Sequence, residues 1–293
     1  MSVIKSYSVG NGDMFYIEHN TDNFTIIDCC LNEDIADDAL EEISVLSGQK
    51  GITRFISTHP DDDHIRGLEL LDNEIGILNF YCVQNGATKP DETDSFKRYR
   101  QLRDSNKAFY ISQGCTRKWM NQENPERKSS GVNILWPKLD SEYFQDALNA
   151  ASDGESPNNI SPIFKYSLVN GVTALWMGDL ETEFMEAIEN DLELPAVDIL
   201  FAPHHGRDSG RIPGSMLTQM SPKIIVIGEA PSQHLNYYQE YHTITQNSAA
   251  DIAFECEANK VHVFTLLEYY VDFLDDESRS RLNYHYVGTL NLG

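Results

Sequence analysis

The sequence lacks several features that would assign it to a common class of protein. Its five cysteines are odd in number and include no CxxC pair, which argues against a disulfide framework and against a cysteine zinc site. No segment approaches the roughly 18 consecutive apolar residues that a membrane helix needs, and no apolar stretch follows the lysine near the N-terminus. We therefore expect a soluble, cytoplasmic protein with no membrane partner.

Two catalytic motifs and an excess of positive charge are also missing. There is no GxSxG nucleophile elbow and no GxxxxGK[ST] phosphate-binding loop, so serine-hydrolase and P-loop functions lack support. Only 22 lysines and arginines stand against 46 acidic residues, which leaves a formal net charge of −24. A field of that sign repels polyanions and argues against non-specific binding of nucleic acid or anionic lipid.

One segment departs from this acidic average. Residues 81 to 130 contain ten basic and six acidic residues, and the polar stretch from 85 to 130 interrupts the strand pattern around it. We predict a single domain over residues 1–293 with an insertion or cap at 85–130. Arg100, in the helix predicted by "DSFKRYRQLRD", is a candidate substrate contact. The alternative is an ordinary solvated insertion.

The rest of the chain alternates strand and helix patterns. The opening "VIKSYSV", "MFYIEH" and "FTIID" predicts a hairpin-rich start, and apolar spacings of three to five predict a helix over 33–47. Near the C-terminus we predict a helix around "HTITQNSAADIAFEC", followed by the strands "KVHVFT", "EYYVDFL" and "LNYHYVG". Strands at both ends with helices between them favour sheets packed in layers and covered by helices.

Three strand ends concentrate side chains that bind metals. His59, Asp61, Asp63 and His64 follow "RFIST", Asp179 follows "ALWMG", and His204 and His205 follow "ILFAP". A rigid scaffold can bring such loops together, and imidazoles with carboxylates suit Zn²⁺, Mn²⁺ or Fe. The alternatives are helix N-caps for the aspartates and a hydrogen-bonded loop pair for the two histidines.

These segments resemble a known family. "HPDDDH" resembles the HxHxDH signature of the metallo-β-lactamase fold, and "MGD" at 177–179 resembles the element with its metal-bridging aspartate. "VGNGD", "FTIIDCC" and "APHHGRDSG" are similar to the VGQGD, ILID and PHHGS motifs of ComEC-like hydrolases, which are related to a domain of a DNA-uptake protein. The resemblance implies an α+β fold, an αββα sandwich with two mixed sheets flanked by helices.

The resemblance also implies a centre with two divalent metal ions, Zn²⁺ or Mn²⁺. His59 and Asp61 would form the first site, and Asp63 and His64 the second. Asp179 would bridge the two ions, and His205, with His204 as the alternative, would complete the second site. Asp28, at the end of "FTIID", would orient the ligand loop rather than bind metal. Asp63, Asp179 and His234 are the candidate catalytic residues, His234 as a proton donor.

Two departures from the family pattern affect the first site. Asp61 replaces the middle histidine, and no histidine occurs between His64 and His204. Asn159, before a predicted strand, is a candidate carbonyl ligand or substrate contact. An oxygen-rich first site would favour harder ions such as Mn²⁺ over Zn²⁺.

Three functions are compatible with these residues. The leading hypothesis is a metal-dependent phosphodiesterase or nuclease that acts on a nucleotide or a single-stranded nucleic acid, with Arg207 and Ser209 near the phosphate. The second is hydrolysis of a carboxylic ester, lactone or thioester by the same fold. The third is a degenerate, non-catalytic binding or assembly module. His234 and Arg207 have a simpler alternative as solvated surface side chains.

Overall fold

Two mixed β-sheets face each other, and helices pack around them. The computed structural model describes all residues, 1–293. One sheet has nine strands and the other has six. The predicted class, an α+β sandwich of two mixed sheets flanked by helices, is confirmed. No helix has both the length and the apolar character needed to cross a membrane.

The bounds of the elements follow the chain in order. The strands are β1 (Ser2–Ser6), β2 (Phe15–Glu18), β3 (Asn23–Ile27), β4 (Cys29–Cys30), β5 (Ile52–Ile56), β6 (Phe80–Cys82), β7 (Ala108–Tyr110), β8 (Val132–Trp136), β9 (Ile163–Ser167), β10 (Thr173–Trp176), β11 (Ile199–Phe201), β12 (Ile224–Ile227), β13 (Thr243–Thr245), β14 (Ile252–Glu257), β15 (Lys260–Thr265) and β16 (His285–Asn291). The helices are α1 (Ala36–Ser47), α2 (Asp62–Ile65), α3 (Leu68–Ile75), α4 (Asp94–Arg103), α5 (Glu142–Ser152), α6 (Thr182–Ile188), α7 (Gly214–Met220) and α8 (Gln246–Ala249). The nine-stranded sheet has the order β16-β15-β14-β1-β2-β3-β5-β6-β7, and the six-stranded sheet has the order β13-β12-β11-β10-β9-β8.

The nine-stranded sheet is apolar on both faces, because successive side chains of a strand point to opposite sides. In β3, Phe24 and Ile26 pack into the core under α1, α3 and α4, whereas Ile27 packs into the core between the sheets. Trp176 stacks on Phe201 between the sheets, with ring centroids 4.7 Å apart. The strand ends that carry polar side chains are therefore fixed by apolar packing on either side.

Residues 85–130, predicted to form an insertion or cap, contain α4, which packs into the core, and β7, which lies at the edge of the nine-stranded sheet. Their description as an insertion or cap stays a prediction. Two segments near the C-terminus differ from the sequence prediction. The helix predicted over "HTITQNSAADIAFEC" is wrong in most of its length, since the segment forms β13, the short α8 and β14. The strand predicted at "EYYVDFL" is absent, and Tyr270 within it is 85% exposed.

The parallel strands bring the polar loops together. β3 and β5 are parallel neighbours in one sheet, and β10, β11 and β12 are parallel neighbours in the other. Their carboxyl ends lie at one edge of each sheet. The loops that follow β3, β5, β10 and β11 therefore meet at one rim of the sandwich.

Candidate metal centre

Asp28 holds the loop that follows β5. This carboxylate is fully buried, accepts the backbone N–H of Thr58 at 2.7 Å and accepts the Thr58 hydroxyl at 2.6 Å. Its Oδ2 also lies 2.8 Å from Nδ1 of His64. An ionised carboxylate can only accept, so Nδ1 of His64 carries the proton and Nε2 presents a lone pair. These contacts provide a physical basis for the orienting role predicted for Asp28.

Asp179 follows β10 and lies at the centre of the cluster. Gly178, with φ +52°, brings the chain close to its neighbours, because a Cβ at this position would lie 2.6 Å from Oγ of Ser161 and 2.9 Å from Cβ of Thr58. The backbone N–H of Asp179 donates to Oγ of Ser161 at 3.2 Å. The Asp179 side chain is buried, with 2% of the residue exposed.

The two oxygens of Asp179 face histidines from three loops. Its Oδ1 lies 3.0 Å from Nε2 of His64. Its Oδ2 lies 3.5 Å from Nε2 of His205, 3.7 Å from Nε2 of His204 and 4.0 Å from Nε2 of His59. A carboxylate in this position can bind one ion through each oxygen, which is what the predicted bridging role requires.

A tight turn after β11 positions the two adjacent histidines. His204 and His205 both have left-handed backbones, with φ +52° and +57°, and Gly206 follows at φ +84°. A Cβ on Gly206 would lie 2.6 Å from Cγ2 of Ile227, so this position needs glycine. Left-handed backbone at residues other than glycine is costly and persists where the surrounding structure fixes it, often at functional sites.

The turn directs the two imidazoles to different partners. His205 is buried, its Nδ1 lies 3.0 Å from Oδ1 of Asp13, and its Nε2 lies 3.6 Å from Oδ2 of Asp63. His204 is more exposed, and its Nδ1 lies 3.0 Å from Oγ of Ser209. His205 thus faces the second site, together with Asp63 and His64, whereas His204 contacts Asp179 without approaching Asp63.

The first site is more open than the second. Nε2 of His59 lies 3.9 Å from Oδ2 of Asp61, while Nδ1 of His59 faces the hydroxyls of Thr58 at 3.1 Å and Ser161 at 3.3 Å. The Asp61 side chain is 31% exposed, and its Oδ1 pairs with Nζ of Lys89 at 3.0 Å. Asp61 therefore approaches His59 through one oxygen and pairs with a lysine through the other.

The unpaired atoms of the cluster fit a metal. Four buried atoms converge on one space without forming a hydrogen bond of normal geometry, although two of them, Nε2 of His64 and Oδ1 of Asp179, lie 3.0 Å apart. The other two are Nε2 of His59 and Nε2 of His205. Ligand atoms of Asp13, His64, Asp179 and His205 all lie within 4.8 Å of one another. Buried polar atoms are normally paired, and lone pairs of neutral imidazole and carboxylate are the donors that divalent cations bind. The donor set fits one or two such ions.

The electrostatics of the cluster also favour a cation. Burial alone would lower the pKa of His64. The negative charges of Asp179 and Asp28 outweigh this effect of burial and raise the pKa of His64 well above its usual value. Burial would also lower the pKa of His205, but Asp13 and Asp179 outweigh burial and raise this pKa to about 10. The pKa of His59 is lowered well below its usual value by burial and by the neighbouring His64. The carboxylates thus attract protons to the second site, where a divalent cation would replace them.

The other predicted site residues lie around this cluster or away from it. Both polar atoms of the Asn159 amide bond to Glu181, at 2.8 and 3.1 Å. Arg100 forms an ion pair with Glu92. His234 stacks on Tyr237, with ring centroids 5.4 Å apart, and forms no ion pair with the cluster. Arg207 and Ser209 follow the histidine turn, where Ser209 contacts His204, and the roles of all five residues stay predictions.

Sequence reasoning missed Asp13, the carboxylate that contacts His205. Asp13 ends the quoted motif "VGNGD", and its backbone N–H donates to the carbonyl oxygen of Asp63 at 3.1 Å. The neighbouring Asn11 donates from Nδ2 to Oδ2 of Asp63 at 3.1 Å. The signal that could have found it is the motif itself, which ends in Asp13.

Comparison with known proteins supports this architecture. Residues 7–141 match the family model of the Metallo-beta-lactamase superfamily. This match covers less than half of the chain. The two-sheet sandwich has the metallo-β-lactamase-like architecture that the sequence predicts, and it carries a candidate metal-binding cluster of Asp and His residues. The ComEC-like subgroup stays a prediction.

The solved structures that resemble the chain have low sequence identity to it. The metallo-beta-lactamase fold protein YhfI from Bacillus subtilis is 10% identical, with 84% of this chain and 96% of that chain covered and a TM-score of 0.47. Igni18, a metallo hydrolase from the hyperthermophilic archaeon Ignicoccus hospitalis, is 16% identical, with 86% and 99% covered and a TM-score of 0.49. No curated protein matches the chain.

Proposed function

We propose that this protein is a metal-dependent phosphodiesterase whose substrate is a nucleotide or a short single-stranded nucleic acid. The observation that carries the proposal is the convergence of four buried ligand atoms, none in a hydrogen bond of normal geometry, at Asp179 and the three histidines around it. A buried site with several unpaired ligand atoms is costly to maintain unless something binds there. Asp63, His64, Asp179 and His205 would hold one ion, and His59 and Asp61 would hold the other together with Asp179.

The residues at the site are ligands and positioning groups rather than nucleophiles. Thr58 and Ser161 are buried, and their hydroxyls contact Asp28, His59 and the backbone of Asp179. When bound, divalent cations lower the pKa of water and stabilise negative charge on a phosphoryl oxygen. Asp28 and Asp13 keep the imidazoles of the second site in the orientation that this chemistry needs.

Charge favours a small substrate over long duplex DNA. The net charge of −24 repels an extended polyanion. The basic residues of α4 do not form a free positive surface, because Arg98 pairs with Asp72 at 2.6 Å and Arg103 with Asp104 at 2.7 Å. A single phosphodiester at the metal centre needs no such surface.

The decisive experiment is an activity screen with controlled metal content. Protein stripped of metal would be given Zn²⁺ or Mn²⁺ and assayed on bis-p-nitrophenyl phosphate, on single- and double-stranded DNA and RNA, and on a lactone. We expect metal-dependent cleavage of phosphodiesters that Asp63→Asn abolishes. Asp146→Asn, an equal charge change on the exposed face of α5, should leave the rate unchanged.

Two outcomes would contradict the proposal. Lactone hydrolysis without phosphodiester cleavage would make the protein an ester hydrolase of the same fold. Stoichiometric metal binding without turnover of any of these substrates would favour a non-catalytic binding module.

A further inference from the structure

The two candidate metal sites differ in the support behind their histidines. In the second site, Nδ1 of His64 contacts the carboxylate of Asp28 at 2.8 Å, and Nδ1 of His205 contacts the carboxylate of Asp13 at 3.0 Å. In the first site, Nδ1 of His59 faces only two hydroxyl groups. An imidazole backed by a carboxylate is a more basic and better oriented ligand. The second site therefore has the stronger donors.

A lysine adds to this difference. Nζ of Lys89 lies 3.0 Å from Oδ1 of Asp61 and 3.5 Å from Oδ1 of Asp62. The other oxygen of Asp61, Oδ2, is the one that approaches His59. A single carboxylate thus faces the first site on one side and an ammonium on the other. The Lys89 side chain is only 21% exposed, so solvent screens its charge less than that of a surface lysine.

A cavity beside the pair gives the ammonium an alternative position. It has a volume of about 340 Å³ and is lined by Asp61 and Lys89 together with Asp91, Phe96 and Glu155. Nζ of Lys89 lies 5.6 Å from the centroid of the Phe96 ring. Lys89 can therefore leave Asp61 without losing every anionic neighbour, since two further carboxylates line the same cavity.

We propose that Lys89 weakens the first metal site by competing for Asp61, so that the centre binds one ion tightly at the second site and one ion weakly at the first. This inference rests on the proposed metal-dependent function. The Lys89 ammonium neutralises the Asp61 carboxylate, which an ion at the first site needs as a ligand. The ammonium and that ion also repel each other, because both approach the same carboxylate. Lys89 is a positioning residue in this arrangement, because it acts on the ion through Asp61.

Metal binding tests the inference without an activity assay. Protein stripped of metal would be dialysed against buffered free Zn²⁺ or Mn²⁺, and bound metal would be measured by mass spectrometry. We expect the wild type to bind a second ion at least about tenfold more weakly than the first. Lys89→Met and Lys89→Gln should each tighten the weak ion by about tenfold or more and leave the tight ion unchanged. Lys89→Arg, which keeps the charge, should behave like the wild type.

Two further variants assign the sites and control for a general charge effect. His59→Ala should remove the weak ion alone. Lys138→Met removes a lysine that pairs with Asp191 at 3.3 Å, away from the centre, and should bind both ions like the wild type. Thermal unfolding would establish that each variant is folded.

Each result bears on one conclusion. Unchanged binding of the weak ion in both neutral Lys89 variants would overturn the inference, as would equal affinities for both ions in the wild type. The expected binding pattern without phosphodiester cleavage would refute the proposed substrate and leave the role of Lys89 intact. A wild type that binds no ion would refute both.

Discussion

Replacing Asp28 with asparagine tests how the second site is organised. The carboxylate accepts three hydrogen bonds, two from Thr58 and one from His64. Asn has almost the same shape but offers an NH₂ group in place of one acceptor. If that group faces the backbone N–H of Thr58, two donors meet and the loop must shift. If it faces His64, the imidazole must accept at Nδ1 and carry its proton on Nε2.

The second arrangement blocks metal binding. Nε2 of His64 is the atom that faces Asp179, at 3.0 Å, and a proton on it removes the lone pair an ion would use. We expect Asp28→Asn to weaken the tight metal ion by about 10–100-fold. The mismatched buried donor should also cost about 1–3 kcal/mol of the free energy of unfolding, because Asp28 is fully buried.

Metal titration and urea unfolding of the same samples would check both numbers. Asp13→Asn is the matched comparison, since Asp13 contacts His205 as Asp28 contacts His64 but has a side chain that is 13% exposed. Water can replace part of the hydrogen bonding of Asp13, so we expect Asp13→Asn to lower the metal affinity less than Asp28→Asn does. A folded Asp28→Asn protein with wild-type metal affinity would refute the reasoning about the tautomer.

Two further predictions concern the scaffold. Burial alone would raise the pKa of Glu42, but Lys5 outweighs burial and lowers this pKa below 4.5. The ionised Glu42 therefore stabilises the fold above pH 4.5, and this stabilisation is lost as the pH falls through the folded-state pKa. Glu42→Gln should lower the free energy of unfolding by about 1–3 kcal/mol at neutral pH and by less at a pH below the folded-state pKa. Chemical unfolding at both pH values would check this, and an equal loss at both would contradict it. Gly206→Ala should destabilise by about 1–3 kcal/mol and weaken metal binding, because the added Cβ meets Ile227 at a positive φ. Gly214→Ala is the control, because its new Cβ meets nothing within 4 Å. Equal losses of thermal stability in Gly206→Ala and Gly214→Ala would contradict this prediction.

The main features of the cluster were predictable because they depend on local pattern. "HPDDDH", "MGD" and "PHHG" each follow a short apolar run, and the carboxyl ends of parallel strands meet at one rim. Asp13 was harder to find, since its contact with His205 depends on how a glycine-rich turn packs against the loop with Asp63. Lys89 lies 25 residues or more from each of the residues it pairs with, and no local pattern indicates such a contact.

The C-terminal errors have a different physical cause. Ile252, Phe254 and Cys256 alternate along β14, but the residues before them have no clear period and hide the change from helix to strand. "EYYVDFL" has the aromatic and β-branched residues typical of a strand. A strand also needs a neighbour, and β15 already pairs with β14 on one side and β16 on the other. The composition of "EYYVDFL" alone does not reveal that both edges of β15, the strand before it, are occupied.

The position of β1 determines when the candidate metal centre can form during synthesis. β1 lies between β2 and β14, so the first strand of the chain pairs with one that leaves the ribosome about 250 residues later. The turn after β1 is also tied to late residues, since Asp251 accepts the backbone N–H of Ser8 and Glu229 accepts that of Gly10. Asp13 lies at the end of this turn. The nascent chain therefore carries an incomplete candidate centre and an open β-edge until β14 has been made, so we expect a truncated form to aggregate rather than to show partial activity.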